Sequence, residues 1–91
     1  MSVSVRIPTI LRTYTDGASE VTAEGGTLAE VLDSLEASYP GIRGRILDDQ
    51  GSLRRFVNVY VGNDDVRFLD SLETSTPEGA QVSVIPAVAG G

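Results

Sequence analysis

The sequence predicts a two-layer α+β domain: a mixed sheet of four to five strands with one main helix packed on one face. Two observations carry this. Short apolar runs of period two recur near the start, in the middle and near the end of the 91 residues. Between the first two lies one segment of helical period, and its apolar stripe is single, so it can cover only one face of a sheet.

Val3, Val5 and Ile7 alternate with Ser2, Ser4 and Arg6, a half-buried strand that stops at Pro8. Asp16-Gly17 is a turn signal, and the stretch between is read as loop. Ser19 to Glu24 reads as the second arm of a hairpin, with Val21 and Ala23 inward. Gly25-Gly26 breaks that strand, and Thr27-Leu28-Ala29-Glu30 has the form of a capping box. Leu28, Val31, Leu32 and Leu35 then fall at i, i+3, i+4 and i+7, and Tyr39-Pro40-Gly41 closes the helix. Ile42 to Leu47 suits one extra helical turn, and Asp48 to Ser52 a loop.

Phe56 to Val61 reads as a strand with Val57, Val59 and Val61 on one face. Gly62 to Asp65 is expected to be a turn and Val66-Arg67 a short return strand, and Leu69 and Leu72 suggest a single helical or 3₁₀ turn. After the turn at Thr76-Pro77-Glu78-Gly79, Gln81 to Ile85 forms the last strand, with Val82 and Val84 inward. That strand is expected to pair with the first in the sheet centre. Residues 1–86 then form the domain, and 87–91 a tail thrown off its edge.

Composition narrows function. The chain has no cysteine and no histidine, so thiol catalysis, thiolate metal sites and the commonest general base are absent. A net charge of −6 disfavours nucleic acid and anionic membrane and suits a partner with a basic docking surface. No basic-then-apolar leader or membrane-length apolar run is visible, so a cytoplasmic location is expected. Asp48-Asp49 and Asp64-Asp65 lack calcium-loop spacing, and Gly25-Gly26 lacks both phosphate-loop patterns. Arg54-Arg55 reads as a solvated pair or a partner contact. No nucleophile, base and orienting group assemble from these residues, so the chain is not expected to be an enzyme.

The segment Pro86-Ala87-Val88-Ala89-Gly90-Gly91 points elsewhere. It continues from a strand without a polar spacer, and Pro86 stiffens the exit. Ala87, Val88 and Ala89 suit burial by another protein as an extended segment. Gly90 and Gly91 carry no Cβ and can thread a narrow channel. The Gly91 carboxylate is then the functional group at the tip. For docking, Ile85 has outward parity on the last strand, and Phe56 and Tyr60 have parity opposite to Val57 and Val59. These three are candidates for an apolar contact on the open sheet face.

The segments IPTILR (7–12), FVNVYVGNDDVRF (56–68) and IPAVAGG (85–91), together with the order of elements, resemble the ThiS/MoaD family of ubiquitin-like β-grasp sulfur carriers. The likeness runs over the whole chain and is greatest to the actinobacterial branch that serves cysteine biosynthesis; Thr13-Tyr14 departs from that pattern. The resemblance implies a cycle carried on Gly91. An E1-like adenylyltransferase/sulfurtransferase would adenylate the carboxylate with ATP and Mg²⁺, and sulfur would replace AMP to give a thiocarboxylate. A PLP-dependent cysteine synthase of the O-phosphoserine type would accept the sulfur, and a JAMM-type zinc protease would release the cysteine. ATP, pyridoxal phosphate and zinc would belong to those partners, with no cofactor or metal held by this chain. A molybdopterin-synthase small subunit like MoaD, a thiamine sulfur carrier like ThiS, a ubiquitin-like modifier and an inert β-grasp interaction module are the alternatives. The seven basic residues are all arginine, an ordinary bias that also leaves no lysine amine in the chain to attack an activated carbonyl.

Overall fold

The computed structural model describes residues Ser2–Pro86. The elements in chain order are β1 (Ser2–Arg6), a 3₁₀ segment (Thr9–Thr15), β2 (Glu20–Glu24), α1 (Leu28–Ser38) and α2 (Arg43–Ile46). They are followed by β3 (Val57–Val61), β4 (Asp64–Asp65), two 3₁₀ turns (Val66–Phe68 and Ser71–Glu73) and β5 (Gln81–Pro86). The sheet has five strands in the order β2-β1-β5-β3-β4. β1 and β5 run parallel in its centre, and the other pairs are antiparallel. This is the mixed sheet that the sequence predicts, with α1 on one face.

Period two decides the layers. Val3 and Val5 of β1, Val57 and Val59 of β3, and Val82 and Val84 of β5 are all buried, while their neighbours face outward. The stripe of α1, Leu28, Val31, Leu32 and Leu35, is fully buried against them. Each such side chain contributes about 1.5–3 kcal/mol by leaving water. Ile42, Ile46 and Leu47 close the core beyond the end of α1.

The start of α1 is fixed by more than its cap. Thr27 Oγ1 accepts from the Glu30 N–H at 3.3 Å, and the Glu30 carboxylate reaches back to the Gly26 N–H at 2.8 Å. The return bond of the capping box therefore lands one residue earlier than in its usual form. The Leu28 N–H donates to the Thr74 carbonyl, so a first-turn donor without a partner inside the helix is met by a distant strand-like segment. Buried Thr76 completes the clasp: its N–H donates to the Gly26 carbonyl and its hydroxyl to the Gly25 carbonyl. Gly25 has φ +156°, and a Cβ there would come within 2.7 Å of the Val31 nitrogen, so glycine is required by this close approach.

Three expectations change. The return strand after β3 is Asp64–Asp65, not Val66-Arg67. Gly62-Asn63 alone makes the hairpin loop, with Gly62 at φ +64°, and Val61 pairs directly with Asp64. Asp65 then accepts from the Arg67 N–H, caps the 3₁₀ turn and ends the strand. Phe56 lies in the turn before β3 rather than in it, because the Val57 N–H is taken by the Arg54 carbonyl. Thr9–Thr15 winds into 3₁₀ turns instead of loop, burying Leu11 and Thr15. Val61 shares the inward face of Val57 and Val59, as expected, and is half-buried against the core at the end of β3. The expected tail, 87–91, lies outside the described residues.

Candidate functional site

The point where the chain leaves the sheet is set by β5. It lies between β1 and β3: Gln81–Ser83 pair with β1, and the direction of its last residues, Val84–Pro86, is held by their pairing with β3. Pro86, the last described residue, pairs with Val57, and Ile85 pairs with Asn58. Having no N–H, Pro86 gives no ladder donor at that position. Of the residues singled out for the tail, Pro86 is therefore placed at the sheet's end. Ala87, Val88, Ala89, Gly90 and Gly91 lie outside the described residues.

Ile85 is 48% exposed, on the face opposite α1, whereas its neighbour Val84 is 2% exposed. Tyr60 pairs with Ser83 and is half-buried on the same open face. Since Asn58 faces Ile85 and Tyr60 faces Ser83, Tyr60 and Ile85 are diagonal neighbours, within reach of an aromatic side chain. The rest of that face is polar: Ser4 and Arg6 on β1, Thr22 on β2 and Asn58 on β3. Phe56 is 53% exposed, but its turn places it beside Asp48, Arg54 and Arg55, where it lines a separate cleft. The three candidate contact residues thus divide into a pair on the open face and one residue at the sheet's end.

A second cleft opens beneath Pro86 on the helix side. Its walls are Ile10, Leu11, Val57 and Val84, with Arg45 and Arg54 at its edge, and its volume is about 200 Å³. The Arg54 Nε donates to the Gly44 carbonyl at 3.0 Å, which ties the Arg54 segment to α2. Arg67 braces the same corner by donating to the Asn58 side chain and to the Arg54 carbonyl. Beside it, two backbone N–H groups, of Ser52 and Gln50, hold the Asp48 carboxyl below its ordinary range, with Arg54 adding a smaller effect. Sequence reasoning did not find this cleft. Arg54-Arg55 was visible as a charged pair, but Ile10 and Arg45 carry no signal that would join them to it.

Among the described residues there is no group of three or more acidic, histidine or cysteine side chains able to hold a metal ion. No described helix is long and apolar enough to cross a membrane.

A model of the ThiS family matches residues 5–91. The chain belongs to the ThiS family. This ThiS-family chain is 50% identical over 93 aligned residues to sulfur carrier protein CysO of Mycobacterium tuberculosis, with all of both chains covered. It is 43% identical to small archaeal modifier protein 3 of Haloferax volcanii, over 75% of this chain and 73% of that one. Its fold superposes with a TM-score of 0.92 on a chain in the crystal structure of the Amycolatopsis orientalis BexX/CysO complex. That chain is 46% identical, and the match covers 98% of this chain and 99% of that one. The β-grasp, ubiquitin-like fold expected from the resemblance is therefore the observed one. The chain is a homologue of the CysO sulfur carriers, and its ThiS-family membership supports a sulfur-carrier role; its relatives are named as carriers and small modifiers, not as enzymes.

Proposed function

We infer that this protein is a sulfur carrier for cysteine biosynthesis, acting as a protein co-substrate through Gly91. The observation that carries the reading is the full-length identity of 50% to a CysO sulfur carrier, which spans the IPAVAGG segment. The central position of β5, which ends at Pro86 and leads directly to that segment, supports it.

In this reading the Gly91 carboxylate attacks the α-phosphorus of ATP in an E1-like enzyme, giving an acyl-adenylate and releasing pyrophosphate. A sulfide-equivalent donor then attacks the acyl carbon and AMP leaves, which produces the thiocarboxylate. Its sulfur is anionic at neutral pH and is a better nucleophile than any side chain of this chain. It forms a bond to the three-carbon unit that a PLP-dependent cysteine synthase derives from an activated serine such as O-phosphoserine. The amine of the new residue attacks the thioester carbonyl and frees the thiol, leaving cysteine in amide linkage to Gly91. A JAMM-type zinc protease hydrolyses that amide and restores the carboxylate. All three cofactors sit in the partners. The partner-bound complex of a 46% identical CysO supports the view that the domain works by docking to other proteins.

Incubation of the thiocarboxylated protein with a cysteine synthase and O-phosphoserine tests this. The thiocarboxylated peptide that contains Gly91 should gain the three-carbon amino-acid unit, ending one cysteine residue heavier than the carboxylate form, and the adduct should survive hydroxylamine because it is an amide. Transfer of sulfur to a molybdopterin precursor, with no cysteine adduct, would replace this reading by that of a MoaD-like subunit.

A further inference from the structure

The geometry points to the arginine-edged cleft under Pro86 as the docking point for an acidic rim on the enzyme that receives the tail. This rests on the carrier reading above and names the chemistry of its partner.

The net charge of −6 is unevenly spread. Six of the seven arginines lie around the end of the sheet where β5 stops. Arg45 and Arg54 edge the cleft beneath Pro86, and Arg55 lines the neighbouring one. Arg67 donates to Asn58, the partner of Ile85, and Arg12 donates to the carbonyl of Ile7, just beyond β1. Arg6 is the last residue of β1, which runs parallel to β5. Arg43 alone is turned away, in an ion pair with Asp33. At the opposite end of the sheet stand Glu24, Glu78 and Asp64. Carboxylates at the basic end include Glu20, opposite Arg6, Asp16, at the end of the 3₁₀ segment that holds Arg12, and Asp48 with its neighbour Asp49; none lines the cleft under Pro86. Arg45 forms no hydrogen bond or ion pair among the described residues, and Arg54 spends only its Nε on a backbone carbonyl.

Two arginines that share a cleft with apolar side chains fit a glutamate or aspartate side chain. The carboxylate takes the planar donors, and the stem lies on exposed Ile10 and on Pro86. Position separates a protein rim from a nucleotide as the source of that carboxylate-like charge. Five residues follow Pro86, and extended they span about 17 Å. When Gly91 reaches a reaction centre, the cleft stands that far back and meets the mouth of the channel rather than the phosphates inside it. Charges at such a rim govern encounter rate and salt dependence.

The test uses the full chain and an E1-like adenylyltransferase, read by ATP–pyrophosphate exchange as the carrier concentration is varied. Arg45→Glu should raise the KM for the carrier about tenfold at low salt, with kcat unchanged. The gap should shrink as ionic strength screens the contact. Arg45→Lys should recover most of the loss, and thermal unfolding should show Arg45→Glu folded. Arg54→Glu should act in the same direction. If the wild-type chain is activated and Arg45→Glu matches it at every salt concentration, the docking proposal falls while the carrier reading stands. A rise in the KM for ATP instead would give the cleft to nucleotide phosphates. A fall in the KM for the carrier would give it to the chain's own terminal carboxylate. Either result overturns the acidic-rim proposal. If the wild-type chain supports no exchange, the carrier reading falls and the proposal falls with it.

Discussion

Ile85 and Val84 are adjacent, yet one is nearly half exposed and the other is 2% exposed. The sheet's alternation turns that single step into opposite consequences for one substitution. Val84→Asp places a carboxylate in the core beside Val59, its pairing partner on β3, with only the arginines of the cleft that Val84 lines, Arg45 and Arg54, on that side. It is expected to cost several kcal/mol or to force the group to stay protonated. Ile85→Asp leaves the charge in water and should change the unfolding free energy by less than about 1 kcal/mol. If Ile85 anchors a partner, the same variant should weaken that complex by more than about 1 kcal/mol. Denaturant unfolding of both variants checks the first pair of expectations, and titration against the partner checks the third. Equal destabilisation by the two changes would mean that the faces of β5 are assigned the wrong way round.

At the scale of elements, Glu36 braces the joint between α1 and α2, beside the ion pair of Arg43 with Asp33. The Glu36 carboxylate accepts from the Gly41 N–H at 2.9 Å and from the Arg43 N–H at 3.0 Å. These bonds favour the charged form, and with Arg43 nearby they hold Glu36 below its ordinary range. A carboxylate depressed in the folded state contributes stability above its unfolded pKa, about 4.3, and loses it as pH falls through the folded value. Glu36→Gln should therefore melt at a lower temperature than wild type at pH 7, and the difference should close toward pH 3. A difference of equal size at both pH values would show that shape, not charge, holds the joint. Sequence showed part of this. The stripe of α1, its Thr27 cap and the extra turn at 42–47 were legible because period and cap chemistry are local. The bond from Glu36 across Gly41 was not, since it depends on how the chain turns after Pro40. Asp64–Asp65 escaped for a related reason: a two-residue strand has no alternation to read, and β-branched Val66 beside it looks more like a strand while being buried in a 3₁₀ turn. The candidate site divides in the same way. The outward parity of Ile85 follows from Val82 and Val84, whereas the cleft joins Ile10, Arg45, Arg54 and Pro86 from four separate stretches that only the fold brings together.

For the whole molecule, folding and the proposed chemistry are carried by different parts of the chain. Among the described residues, the core cluster runs from Val3 to Val84, and the ladder of β5 reaches Pro86 opposite Val57. Removal of Gly91 leaves that cluster whole and should shift the unfolding free energy by no more than about 0.5 kcal/mol. Activation should respond very differently. The carrier reading places a single reacting group on Gly91, and loss of one residue retracts the carboxylate by about 3.5 Å from where an adenylating enzyme expects it. A displacement of even 1 Å from the reacting geometry can cost about a hundredfold in rate. ATP–pyrophosphate exchange with the truncated chain should therefore fall to background. A chain with one alanine added after Gly91 should be equally inactive, because the former carboxylate is then an amide. Docking should survive both changes if Ile85 and the arginine-edged cleft supply contact away from the tip, so each variant should compete with wild type for the activating enzyme. A truncated chain that is activated at the wild-type rate would remove Gly91 from the mechanism, and with it the sulfur-carrier cycle proposed for this protein.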